Sequence, residues 1–184
     1  MILFLLIGTF FFSKRRKDDG EKLTIPPIDK FYTDHNYQAP PSFVVDAALF
    51  FDNESIETFV GKDFNLVAKI DPGSNVEKGI NAVQLDFDFD GSKLEFFGAT
   101  AMEPFAQMGS SVVDNQRGIV SMTFFIGGSQ LKNVSDVAKL SFRAKLASDE
   151  TVIAFSQTAQ AAANDGSGSM VLGVRGKTTV KISK

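Results

Sequence analysis

Between Asn81 and Thr100 polar and apolar residues alternate with a period of two. Val83, Leu85, Phe87 and Phe89 share one face, and Gln84, Asp86 and Asp88 share the other. That period marks a β-strand with one face in a core and one in water. After a turn at Asp90-Gly91, Leu94 and Phe96 resume the apolar face and Glu95 the polar one. Residues 137–146 repeat the pattern, with Ala138, Leu140, Phe142, Ala144 and Leu146 opposed to Lys139, Ser141, Arg143 and Lys145. The same reading predicts strands near residues 43–51, 55–60, 62–70, 81–89, 93–99, 118–126, 136–146, 151–158 and 177–183. Asp71-Pro72-Gly73, Asp90-Gly91, residues 115–118, Gly127-Gly128 and residues 164–168 supply turns between several of them. Short strands without a long amphipathic helix predict an all-β fold, a nine-stranded β-sandwich over residues 43–184.

The pattern changes before residue 43. Residues 1–12 carry no charge, and Lys14-Arg15-Arg16-Lys17 follows at once, so residues 1–17 read as a hydrophobic segment with a basic flank. A spanning helix needs roughly 20 apolar residues, so this run alone does not cross a bilayer. Its cations follow the apolar run, whereas a signal peptide carries them ahead of it. Three readings stay open: the remnant of a membrane anchor, a short signal or anchor, and a buried element. Residues 18–42 are polar and contain Pro26-Pro27 and Pro40-Pro41, the composition of a semi-rigid linker.

The order of the pieces carries a resemblance. Val60-Gly-Lys-Asp-Phe64 is followed by Asn81-Ala-Val-Gln84, Ser92-Lys-Leu-Glu-Phe96 and Gly118-Ile-Val-Ser121. Val137-Ala-Lys-Leu-Ser-Phe-Arg-Ala144 and Val171-Leu-Gly173 come next, leading into Thr179-Val-Lys-Ile182. From Phe43 to the end the chain resembles the cohesin family of bacterial surface β-sandwiches, which are binding modules and not enzymes. The resemblance implies a nine-stranded jelly roll. It also implies a dockerin-like protein partner, engaged on a sheet face built from the third, fifth, sixth and eighth strands.

Composition narrows the chemistry. The chain of 184 residues has a formal net charge of −3, with 22% charged and 11% aromatic residues, which is a globular balance. Without a basic stripe in the folded part, nucleic acid is not an expected partner. There is no cysteine, so disulfides, thiol catalysis and cysteine-ligated zinc are excluded. The single histidine, His35, lies in the linker, which leaves the sandwich without a Ser-His-Asp triad or a three-histidine zinc site. No pair of carboxylates carries a glycosidase-like motif. The expectation is therefore a protein that is not an enzyme and has no resident cofactor.

Asp86-Phe-Asp88-Phe-Asp90-Gly91 imitates the opening of a calcium loop, but its twelfth position is Phe97 where a bidentate Glu is required. Strand alternation explains the aspartates, and a looser calcium site at Asp88 or Asp90 stays open as an alternative. A flat sugar-binding face usually stacks exposed Trp or Tyr on sugar rings. This chain has no Trp, and both tyrosines, Tyr32 and Tyr37, fall in the linker. A groove that binds a glycan by hydrogen bonds remains compatible.

Three Phe-Phe pairs fall in the expected strands, and alternation turns one member of each outward: Phe50, Phe97 and Phe125. Carried over strand by strand, the docking face implied by the resemblance presents Asn65, Val67 and Lys69, then Glu95 and Phe97, then Ser121, Thr123 and Phe125. Phe97 and Phe125 would lie on neighbouring strands and bury apolar area against a partner. The competing reading is that the linker or residues 102–111, a loop candidate with Phe105 as a plug, covers them. The functional expectation is a non-catalytic module tethered to a bacterial membrane and displayed outside the cell. It would bind a dockerin-like surface protein or a glycan through a sheet face. The rivals are a carbohydrate-binding module of polysaccharide breakdown and a structural stalk or surface-layer domain.

Overall fold

The computed structural model describes residues 44–127 and 130–184. The hydrophobic segment and the linker lie outside the described residues. Numbered in chain order, twelve strands form two sheets within them. The smaller sheet runs β11 (Leu172–Arg175), β1 (Ala47–Phe51), β3 (Asp63–Asp71), β8 (Ser135–Ala144), β5 (Leu94–Ala101). The larger runs β2 (Ser55–Phe59), β12 (Lys177–Ser183), β9 (Ser148–Phe155), β4 (Ile80–Phe89), β7 (Ile119–Ile126), β6 (Phe105–Asp114). A short strand, β10 (Gln160–Ala163), also pairs with β4. The two sheets pack as a jelly-roll β-sandwich.

The core is the apolar half of the alternation. Val83, Leu85, Phe87 and Phe89 of β4 are buried, as are Val120, Met122, Phe124 and Ile126 of β7 and Leu140 and Phe142 of β8. Phe142 is fully buried and meets rings from both sheets: Phe96 at 5.1 Å, Phe89 edge-on at 5.6 Å and Phe87 at 6.1 Å. Phe51 stacks on Phe155 at 4.4 Å and ties β1 to β9 across the sandwich. Offset and edge-to-face rings of this kind add to the burial of their area.

Residues 102–111 are not a loop. Most of that stretch belongs to β6, which pairs antiparallel with β7, matching Phe105 to Ile126 and Asp114 to Ile119. Its alternation is hidden because the register slips between Met108 and Val112, around Gly109 at φ 74°. Between those pairs three residues of β6, 109–111, oppose Met122 alone, and this unpaired stretch interrupts the pattern along the strand. Phe105 is buried, as a plug would be, but from within a strand. Leu146 also departs from expectation. β8 ends at Ala144, so Leu146 leaves the inward row and is 56% exposed.

β1 and β2 behave as one strand broken between sheets. Asp52 still pairs with β3, its N–H donating to the Val67 carbonyl at 2.9 Å and its Oδ1 accepting the Val67 N–H at 2.9 Å. Two residues later the Glu54 carbonyl accepts the Thr179 N–H of the larger sheet at 3.0 Å.

Candidate functional site

The sandwich has two outer faces, and the residues expected to form one site are divided between them. Asn65, Val67 and Lys69 lie on β3 and Glu95 and Phe97 on β5, both strands of the smaller sheet, with β8 between them. Ser121, Thr123 and Phe125 lie on β7, in the larger sheet. Phe97 and Phe125 therefore point away from opposite sides of the sandwich and are not neighbours. The physical reason is that alternation separates inside from outside and does not say which sheet a strand joins. Each ring is nevertheless turned outward, Phe97 at 49% exposure and Phe125 half-buried.

On the larger sheet the register sets outward residues in rows. Phe125 stands beside Ala82 and Ala106, Thr123 beside Gln84, and Ser121 beside Asp86 and Val112. Gln84 faces Gln160 on its other side. Ala82, Gln84, Thr123, Gln160, Ala162 and Met170 line a shallow depression of about 130 Å³. The Gln84 amide donates to Asp86 Oδ2 at 2.8 Å, so its nitrogen is engaged and its carbonyl oxygen remains as the acceptor.

Asp86 occupies an outward position yet is only 7% exposed, and its Oδ1 has no hydrogen-bond partner among the described residues. The turn joining β9 to β10 approaches here, with the Ser156 N–H bonded to the Asp86 carbonyl at 2.9 Å. Strands β4, β6, β7 and β9 contain no Lys or Arg, while Asp86, Asp88, Asp114, Asp149 and Glu150 all lie on them. This panel is anionic and rich in acceptors. In the sequence Gln84, Asp86 and Asp88 stand as the polar row of a strand, with Asp88 also a candidate calcium ligand. Their pairing with β7, which no local pattern encodes, makes them part of a surface.

The opposite face is close to balance. Asp63, Asp71, Glu95 and Asp136 stand among Lys69, Lys139 and Arg143 on β3, β5 and β8. Arg143 holds Asp63 in a two-pronged contact at 2.6 and 3.1 Å, and Lys69 pairs with Asp136. The hydrogen bond from Arg143 lowers the Asp63 carboxyl below its ordinary value, and the same bond raises Arg143.

Among the described residues no group of three or more His, Asp or Glu gathers to hold a metal. In the stretch that imitates a calcium loop, Asp86 and Asp88 belong to an extended strand. Asp90 is turned to the N–H and hydroxyl of Ser92 at 2.9 and 2.5 Å, which lower its carboxyl below the ordinary range.

Two packed sheets with polar outer faces define the molecule as a jelly-roll β-sandwich. The family model described as Cohesin domain matches residues 53–180. The chain belongs to the cohesin domain family, whose members are non-catalytic binding modules. It is similar in fold to the cohesin module of a Clostridium perfringens family 33 glycoside hydrolase, at 19% identity and TM-score 0.61, covering 77% of this chain and 98% of that one. The seventh ScaB type I cohesin of Pseudobacteroides cellulosolvens matches at 17% identity and TM-score 0.57, covering 75% and 92%. A cohesin from Clostridium thermocellum, solved as a type I cohesin–dockerin complex, matches at 16% identity and TM-score 0.56, covering 77% and 96%. No curated protein matches the chain.

Proposed function

We propose that this chain docks a dockerin-like protein through the outer face of β6, β7, β4 and β9. One observation carries the reading. If β1 and β2 count as the two halves of one crossing strand, the third, fifth, sixth and eighth strands of the family's docking face become β4, β6, β7 and β9. These four are consecutive neighbours in the larger sheet. Counting them separately and treating β6 as a loop moves the count onto β3 and β5, which lie in the other sheet.

On this reading Ser121, Thr123 and Phe125 stay in the site, joined by Gln84, Asp86 and Asp88. Asn65, Val67, Lys69, Glu95 and Phe97 fall outside it. The chemistry asks for a partner that donates. Gln84 offers its carbonyl oxygen, turned to the surface by the amide hydrogen bond to the buried Asp86 carboxylate, and the four strands carry no cation of their own. Hydroxyls, amides and basic side chains around a small apolar contact for Phe125 fit that surface. The apolar run and basic cluster of residues 1–17 support attachment at a membrane, and display outside the cell rests on the surface location that the family resemblance implies.

The test is titration calorimetry of the full chain against a panel of recombinant dockerin modules. A binding module should lose at least tenfold in affinity with Phe125→Ala or Thr123→Asp, and nothing with Phe97→Ala. Loss with Phe97→Ala alone would move the site to the smaller sheet. Failure of every dockerin to bind would overturn the reading.

A further inference from the structure

The opposite face carries a feature that protein docking on β4 and β7 does not use. We infer that the outer face around Phe97 is a platform for a neutral polysaccharide chain. Phe97 is the extra residue of a β-bulge. Phe96 pairs with Phe142 and Gly98 with Ser141, so Phe97 has no partner of its own on β8. Bulges re-aim a side chain at the edge of a sheet. Here the bulge leaves Phe96 inside, 2% exposed, and pushes the next ring out to 49%.

The ring is held in place. The Arg143 guanidinium lies over it, 4.7 Å from the centroid, and is itself fixed by the two-pronged contact to Asp63. A cation on a ring is stabilised by the ring's electron-rich face and orients it. Next to the ring is an open depression of about 290 Å³ lined by Phe97, Gly98, Ala99, Thr100 and Ser141, with Arg143 not among its walls. Gly98 keeps the floor low, since a side chain there would project into open space. At the rim Ser141 donates to Asn65 Oδ1 at 2.8 Å. That bond leaves the serine oxygen as an acceptor and the Asn65 amide nitrogen as a donor, side by side.

An aromatic wall with a hydroxyl, an amide and a threonine in reach matches the two characters of a sugar ring, an apolar C–H face and a hydroxylated edge. Charge selects the class of ligand. Asp63, Asp71, Glu95 and Asp136 nearly offset Lys69, Lys139 and Arg143 on this face, and two of the cations are already paired. A surface with so little net field favours an uncharged chain over an acidic polysaccharide or a strongly basic protein.

The experiment is affinity gel electrophoresis of the full chain in gels containing soluble xylan, a mixed-linkage β-glucan or hydroxyethylcellulose, with polygalacturonate as the acidic comparison. Retardation is expected in at least one neutral gel and not in polygalacturonate. Phe97→Ala should weaken it about five- to tenfold, and Phe97→Tyr should preserve it. Phe125→Ala, on the other sheet, should bind glycan as the parent does, which separates this inference from protein docking. Absence of retardation in all neutral gels would overturn it. Equal retardation of the parent and a Phe97→Ala variant that melts normally would do the same.

Discussion

The side-chain amide of Asn115 pairs with both backbone groups of Phe96, accepting its N–H through Oδ1 at 2.8 Å and donating through Nδ2 to its carbonyl at 3.0 Å. β5 is an edge of the smaller sheet, while Asn115 sits in the turn after β6 of the larger one. One side chain thus completes the ladder where the next strand is missing and joins the sheets at that corner. It also denies the edge to foreign strands. Asn115→Ala should cost about 1–3 kcal/mol, because two backbone groups lose their partner together. Urea denaturation measures it, and a loss within error would show that water replaces the amide at no cost.

The same corner depends on Gly118. Its φ is 67°, and a Cβ there would lie 1.8 Å from the Phe89 carbonyl oxygen. Gly118→Ala should therefore combine left-handed strain with a backbone clash, about 2–5 kcal/mol. Gly61 has a similar φ of 79° but open space around it, so Gly61→Ala should cost only the strain, about 1–2 kcal/mol. Thermal unfolding of the two variants separates the effects, and equal melting points would mean that the corner relaxes freely.

Phe142 and Leu146 occupy the same row of the sequence alternation but opposite situations in the fold. Phe142→Ala should cost about 3–5 kcal/mol, since it empties a space that rings from both sheets enclose. Leu146→Ala should change stability by less than about 0.5 kcal/mol, because the side chain is mostly in water. Chemical denaturation of both tests where β8 ends.

These contrasts mark how far the chain can be read without its fold. Alternation made β4, β7 and β8 legible, together with their inward phenylalanines and the outward turn of Phe97 and Phe125. It could not find β6, whose pairing with β7 is interrupted between Met108 and Val112. It also missed β10 and β11, each only four residues long and with little apolar contrast. Most of all, period two is a local signal, whereas sheet membership follows from long-range pairing. Thr123 and Gln84 become one surface only because β7 lies beside β4, and Phe97 leaves that surface only because β5 pairs with β8.

Acid should loosen the loop beside the depression on the larger sheet. Asp165 accepts the hydroxyls of Ser167 and Ser169 at 2.5 and 2.6 Å, and the N–H groups of Ser167 and Ser169 at 3.0 and 3.3 Å. Those bonds hold its carboxyl well below the ordinary carboxylate range. A carboxyl depressed by folding stabilises the fold above its unfolded pKa, near 4, and that contribution fades as pH falls towards the folded value. Asp165→Asn should thus melt below the parent at pH 7, with the gap narrowing below about pH 4. A gap that persists unchanged at pH 2 would mean the ionised form is not what holds the loop, whose Met170 bridges to Ala162 in the depression.

The last expectation concerns the rate at which a partner arrives. A panel of four strands without a single Lys or Arg, bearing Asp86 and Asp88 at its centre, presents a one-sided field. Fields of that kind act on encounter more than on the final complex, and they are screened within about 10 Å at 0.1 M salt. For a dockerin with a basic docking helix, the association rate should fall several-fold between 50 and 500 mM salt, with little change in dissociation. Asp88 is exposed, so Asp88→Asn should lower the association rate and flatten that salt dependence. Asp86 is desolvated and holds Gln84, so Asp86→Asn should act chiefly on dissociation. Surface plasmon resonance at a series of salt concentrations reads both rates. Identical kinetic effects of the two variants would contradict the distinction between a steering charge and a buried carboxylate that positions Gln84.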